Sequence, residues 1–445
     1  MSDKITAWES QLGSFDPEKR KQALHALVES WQAGQVTVAS PQQAVNLHCH
    51  TFFSYNGYGY SPSGIAWLAK KAGWEAAGIV DFDVLDGVEE FLASCDLTGV
   101  RGVAGLETRV YIPEFATREI NSPGEPGIFY LMGVGFTASS APGSAAQILS
   151  SMRQRAEERN RAMLIKLNAH LAPVIADYDR DILPLTPKGN ATERHMLEAY
   201  DTIARRVFPE RAALVAFWVE KLGAAPAEIE KLVENPHSLR DLIRSKLMKK
   251  GGVGYMTPTP ETFPRATEVN EMTIACGALP CATWLDGASA GEQAEEELLT
   301  LLIKQGVAAL NIIPDRNWNF PDEKTRQAKV AALYQVVELA QSLDLPLIAG
   351  TEMNKYGQKR VDDFDSEALR PLRQAFLDGA YFLYGHTILQ RAAGLGYQSA
   401  WAAKHLPARR ERNAFYTTVG KAAKPGKLPA VNKKLEPQDI LSALR

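Results

Sequence analysis

The stretch that decides how this chain is read is Asn46-Leu47-His48-Cys49-His50-Thr51. It closes a short apolar run that begins at Val45 and ends in polar residues, the pattern of a buried strand whose last side chains reach a site. Side chains alternate across a strand, so His48 and His50 face the same way. Two imidazoles placed like this can chelate one borderline metal ion such as zinc. The competing reading is a pair of satisfied polar residues at a strand end.

Working outward, strand and helix signals alternate. Asp16-Pro17-Glu18 gives an N-cap with proline in the first turn, ahead of Leu24, Leu27 and Trp31 on one face. Ser61-Pro62 starts a second helix, carrying Ile65, Leu68 and Ala72, that stops at Gly73. Strands are expected at 77–80, at 103–111, and at 128–136, which returns beside it. From about 150 to 260 only helical spacing is found, with Met152, Ala156, Met163, Leu167 and Leu171 on one face. Alternation then resumes, with strands at 278–285, 307–313 and 345–349 and helices at 294–303 and from Val330 to Ala340. Alternating β and α elements predict a parallel sheet, open or closed into a barrel, of α/β class. The expected organisation is a helical extension over 1–40, a barrel over 41–149 and 261–400, a helical insertion over 150–260, and a basic tail over 401–445.

Composition excludes several classes. The chain has 445 residues, 45% hydrophobic and 23% charged, with a formal net charge of −3. That suits a folded protein with a sizeable core and excludes disorder or coiled coil for the whole chain. No run of 18 apolar residues offers a membrane span. The first residues lack the apolar region of a signal peptide, and four cysteines without a CxxC pair point to a reducing compartment, so a cytoplasmic location is expected. The near-zero net charge gives no case for nucleic acid as a partner. Locally, nine basic residues between Lys404 and Lys434 face one acid, Glu411. They fit an anionic partner, or a solvated tail or subunit contact.

Further acids and bases fall at strand ends, where barrels build their sites. Glu107 follows 103–106, Asp81, Asp83 and Asp86 follow 77–80, and Glu352 and Asn354 follow 345–349. Asp81 or Asp83 is a candidate general base, with an Asx-turn or helix cap as the alternative. Arg194, His195 and Arg316 are candidates to grip a substrate anion, against the default of exposed charge. His386 is a candidate extra imidazole or a buried, hydrogen-bonded histidine.

These elements together resemble the PHP (polymerase and histidinol phosphatase) family of metal-dependent phosphoesterases. The resemblance spans about Val45 to Asn354. It rests on His48-Cys49-His50-Thr51, on the turn VDFDVLDGVEEF (Val80–Phe91), on Gly105-Leu106-Glu107, on Arg155, Arg161 and Lys166-Leu167-Asn168, and on Arg194-His195. It implies a distorted seven-stranded (β/α) TIM-like barrel with a helical insertion, and hydrolysis of phosphate esters with up to three metals. Where the family pattern has histidines, this chain has Phe82, Tyr130, Thr283 and Asn354, and Glu352 stands for an aspartate. What the resemblance then leaves is one site, with His48, His50, Glu107 and Glu352 as ligands for a single zinc, manganese or iron ion. The expected activity is hydrolysis of a small phosphorylated metabolite. The alternatives are a non-catalytic binding or regulatory protein on the same barrel, or a metal-dependent sugar isomerase or lyase.

Overall fold

A computed structural model describes residues 2–444. They form a single seven-stranded sheet whose strands lie side by side in sequence order: β1 (Val45–Cys49), β2 (Ala76–Phe82), β3 (Arg101–Tyr111), β4 (Ile128–Val134), β5 (Leu279–Trp284), β6 (Ala309–Ile312) and β7 (Leu347–Ala349). Pairing is parallel except at β4, which runs antiparallel to both β3 and β5. The sheet curls until β7 meets β1. Just past β7, the Glu352 N–H donates to the His48 carbonyl and the His50 N–H donates to the Glu352 carbonyl, each at 2.7 Å. The result is a nearly closed α/β barrel of distorted TIM type, with one strand reversed.

The strands are buried on both sides, as parallel barrel strands must be. Leu47, Ile79, Leu106, Met132, Ala282, Leu310 and Ile348 are all buried in them. β1 carries one extra residue against β2 between Asn46 and Cys49, and such bulges re-aim side chains near sites. Helix starts follow the sequence signals. Asp16 accepts the backbone N–H groups of Glu18 and Lys19 at the head of Pro17–Gln32, and Ser61 Oγ accepts that of Gly64 at the head of Pro62–Ala72. Gly73 ends the latter helix with φ +69°, and a side chain there would run into the Ser40 carbonyl.

Two compact units divide the chain. One contains the barrel and is built from the residues up to Phe52, from Asn56–Leu149, and from Pro264 onward. The other is Phe53–Tyr55 with Ser150–Phe263, and its described elements are helical. Its own core includes Leu167, Tyr200, Trp218, Ile229 and Leu239. No helix among the described residues is long and apolar enough to cross a membrane.

The basic segment after residue 400 is more ordered than its composition implies. It contains the helix Arg409–Ala422, which buries Phe415, Tyr416 and Val419 and lies against the helix Arg373–Ala393. The two backbones approach closely at Gly385 and Gly420. A Cβ on Gly385 would overlap the Tyr416 carbonyl oxygen, and one on Gly420 the Tyr381 carbonyl oxygen. Several of the cations serve this packing. Arg412 Nε donates to the Leu406 carbonyl at 2.8 Å, and Lys421 pairs with Asp378 at 2.6 Å. Because neither backbone can yield without loss of helix contacts, Gly385→Ala is expected to destabilise the protein by about 1–3 kcal/mol. A urea midpoint equal to that of the wild type would contradict this packing.

Candidate metal centre

β1 and β3 deliver the centre. His48 lies within β1 and His50 just after it, while Glu107 lies in the middle of β3 and not at its end. One ligand atom from each of the three lies within 4.8 Å of the other two, and all three residues are buried. Glu107 Oε2 is 3.5 Å from His48 Nε2 and 3.2 Å from His50 Nε2. Among the described residues this is the one cluster of three His, Cys, Asp or Glu side chains close enough to share an ion.

The ring of His48 is held in the state that a metal needs. Its Nδ1 is 3.0 Å from Asn311 Oδ1, and the Asn311 Nδ2 donates to the Ile348 carbonyl at 3.1 Å. That carbonyl can only accept, so the amide must turn its oxygen to the imidazole, and Nδ1 must carry the proton. In the neutral ring, the lone pair is therefore on Nε2, facing Glu107 and His50. An outer hydrogen bond that fixes tautomer and orientation is the usual support of a metal-ligating histidine.

The electrostatics point the same way. Burial works to raise the pKa of Glu107, but the neighbouring His48 and then His50 outweigh it and hold the carboxyl down at about 2. Burial works to lower the pKa of His48, but Glu107, then Glu352, then the Asn311 hydrogen bond outweigh it and move it up. Buried negative charge thus draws positive charge to this spot, whether a proton or a metal ion. Two imidazoles and a carboxylate suit a borderline divalent ion.

Glu352 reaches the centre differently. Its backbone sits in the left-handed region at φ +66°, followed by Met353 at +57°, an uncommon conformation for residues other than glycine. Its carboxylate is outside the three-residue cluster and is held by Arg316 Nη2, at 2.9 and 2.8 Å to its two oxygens, and by Gln358 Nε2 at 2.9 Å. Arg316 therefore stands at the centre as the partner of Glu352. It also lies near enough to Glu107 to feel its charge.

The other candidates have structural partners. Asp81 accepts the Thr51 N–H at 2.8 Å and the Thr51 hydroxyl at 2.7 Å, which ties the end of the His48–Thr51 stretch to β2. Asp83, at φ +61°, accepts the Thr108 hydroxyl at 2.5 Å. Both bonds join segments far apart in the chain and do not close a local Asx-turn or helix cap. Arg194 and His195 belong to the helical unit. There Arg194 pairs with Asp241 at 2.6 Å, and His195 Nδ1 accepts the Thr192 N–H at 3.0 Å in a helix cap. His386 is a buried, hydrogen-bonded histidine. Its Nε2 lies 3.2 Å from the Gly135 carbonyl, its Nδ1 accepts the Tyr397 N–H, and burial lowers its pKa to about 4.

The replaced positions also show what they do instead. The Phe82 ring lies 4.2 Å, centroid to centroid, from that of His50. Thr283 donates its hydroxyl to the Tyr130 carbonyl and accepts from Asn121 Nδ2 at 2.7 Å. Three supporting residues were not legible as such: Asn46, Asn311 and Gln358. Asn46 bonds Thr351 Oγ1 and the Arg360 carbonyl through Nδ2, knotting β1 to the segment after β7. The available signal was an asparagine inside an apolar strand, since a buried amide needs partners.

No family model matches the chain, and no curated protein matches it. Among solved structures it is similar to an amidohydrolase from Chromobacterium violaceum with bound sulfate and no metal, at 14% identity and a TM-score of 0.46, over 75% of this chain and 96% of that one. It is also similar to a protein from Bifidobacterium adolescentis provisionally described as a metal-dependent phosphoesterase, at 17% identity and a TM-score of 0.48, over 76% of this chain and 98% of that one.

Two outcomes follow from this geometry. Asn311→Ala removes the bond that sets the His48 tautomer and is expected to weaken zinc binding about 10–100-fold with the fold intact. Unchanged affinity in a chelator competition would discard the tautomer argument. The second concerns Asp362, buried beside the short helix Asp315–Trp318 that carries Arg316. Asp362 Oδ1 accepts Trp318 Nε1–H at 3.3 Å, while burial, aided by Asp315, pushes its pKa up to about 7. Trp318 and Lys359 act in the opposite direction. A carboxyl raised in the folded state favours folding below its unfolded value, near 4, and that advantage is lost as pH rises through 7. The loss is on the order of 4 kcal/mol. Asp362→Asn should flatten this decline in urea melts between pH 4 and 8, and an unaltered decline would refute it.

Proposed function

We propose that this protein is a metal-dependent hydrolase of PHP type, acting through one divalent ion on a small phosphorylated molecule. The observation that carries the reading is the convergence of His48, His50 and Glu107, with the Nε2 lone pair of His48 aimed into the cluster by Asn311. A divalent ion held by these three supplies Lewis acidity, polarising a phosphoryl oxygen and acidifying water. Zinc, manganese and iron all fit the donor set. Arg316 supports an anionic substrate. Its side chain is 44% exposed, it stands close to the cluster, and a guanidinium matches the oxygens of a phosphate. Glu107 supplies the negative charge of the donor set, its carboxyl held low by His48 and His50 against the effect of burial.

A second reading, a barrel that binds metal and anion without turnover, is favoured by Phe82 and Thr283. Their contacts with His50 and Tyr130 leave no imidazole at those positions for a second ion. A metal pair can clamp both the attacking and the leaving oxygen, whereas a single ion cannot.

The purified protein is expected to hold about one equivalent of metal per chain, and His48→Ala to hold essentially none. A panel of phosphate monoesters with added zinc or manganese should be hydrolysed at a rate that falls at least about 100-fold in His48→Ala. Equal rates in that variant would remove the hydrolytic mechanism. Metal retained with no ester cleaved would select the non-catalytic reading.

A further inference from the structure

We propose that Glu352 is a ligand held in reserve: Arg316 keeps its carboxylate away from the His48–His50–Glu107 cluster, and a tetrahedral oxyanion that engages Arg316 releases it to the cluster. This inference rests on the metal reading above and adds a regulation of that site by its own substrate class.

Three observations lead there. First, the backbone of Glu352 is tied at both its N–H and its carbonyl, whereas its side chain keeps rotatable bonds. The residue is pinned from both sides by the 2.7 Å bonds to the His48 carbonyl and the His50 N–H, in a left-handed conformation that this closure maintains. Beyond Cβ, however, a glutamate has rotatable bonds enough to re-aim its carboxylate. The extra methylene that sets it apart from aspartate provides that reach.

Second, the present grip on the carboxylate is exchangeable. Arg316 approaches with Nη2 alone serving both oxygens, a poorer match than the two parallel bonds a guanidinium can give a carboxylate or phosphate. The Arg316 side chain is 44% exposed and that of Glu352 only 11%, so an incoming anion meets the cation first. Gln358 supplies the remaining hold, a neutral bond at 2.9 Å.

Third, the charges favour the exchange only when both ligands are present. Glu352 and Glu107 repel one another, and the charge of Arg316 offsets this. An oxyanion with two negative charges takes over Arg316, and a divalent ion at the cluster gives both carboxylates a common counter-charge. Three protein ligands become four, the usual complement for zinc. Oxyanion and metal must then bind with positive coupling, and the coupling must be reciprocal.

The test is a zinc titration against a chromogenic chelator, in sodium sulfate and in sodium chloride of matched ionic strength. Sulfate is the probe because zinc stays soluble with it. In the wild type, sulfate is expected to tighten zinc about tenfold, within the usual range for coupled sites. Arg316→Gln should bind zinc about tenfold more tightly without sulfate and no longer respond to it, while Glu352→Gln should not respond and so fall about tenfold below the wild type when sulfate is present. The double variant separates exchange from simple removal of a positive charge. If Arg316→Gln tightens zinc as much in the Glu352→Gln background as in the wild type, the proposal is overturned. Equal tightening by sulfate in wild type and Glu352→Gln also overturns it, since the anion would then act without this side chain. The wild-type titration decides by itself if a variant fails to fold: bound zinc that ignores sulfate rejects the reserve role and leaves the metal reading standing. No zinc binding at all would reject both.

Discussion

The arrangement of this protein depends on a pair of main-chain hydrogen bonds. The backbone of Glu352 lies between His48 and His50, giving its N–H to one and taking the N–H of the other. Without that stitch, β1 and β7 would be the two backbone edges of an open sheet, held together by side chains alone. With it, the first strand, bearing both imidazoles, and the last segment, bearing an acid, become neighbours. The left-handed turn at Glu352 and Met353 is the local strain that this closure maintains.

A second constraint acts through buried amides. A closed barrel brings its polar groups into a region with little water, where each must be paired. Asn46 and Asn311 meet that need and, in doing so, do something further. Asn46 ties β1 to the segment after β7 through Thr351 and the Arg360 carbonyl. Asn311, on β6, passes the orientation of a carbonyl on β7 to an imidazole on β1. Three strands thus agree on which nitrogen of His48 carries the proton. Satisfying hydrogen bonds and preparing a ligand are here the same act.

The local features were legible in the sequence. Helix starts at Asp16 and Ser61 followed from capping chemistry, the strands from their apolar runs, and the shared facing of His48 and His50 from alternation. The α/β class was readable because strands and helices took turns, while closure into a barrel was implied only by the family resemblance. What was not readable was everything set by distance along the chain. Glu107 was placed after 103–106, at a strand end, yet it sits inside the strand expected over 103–111, where β3 pairs with β4. Arg316 and Glu352 were each visible as charged residues at strand ends, but their pairing depends on closure, which no local window contains. The segment after residue 400 was judged by its cations, whereas the spacing of Phe415, Tyr416 and Val419 with a glycine at 420 decides its packing.

The ring of Phe82 against His50 has a wider implication. At 4.2 Å between centroids, the phenyl ring covers one face of the imidazole with hydrocarbon and offers no donor atom of its own. Magnesium parts with water reluctantly and calcium asks for six or more oxygens, so two imidazoles and one carboxylate would serve either poorly. One phenylalanine thus puts a wall where a side chain with a donor atom could have stood, and the imidazole beneath it keeps only its edge for other partners.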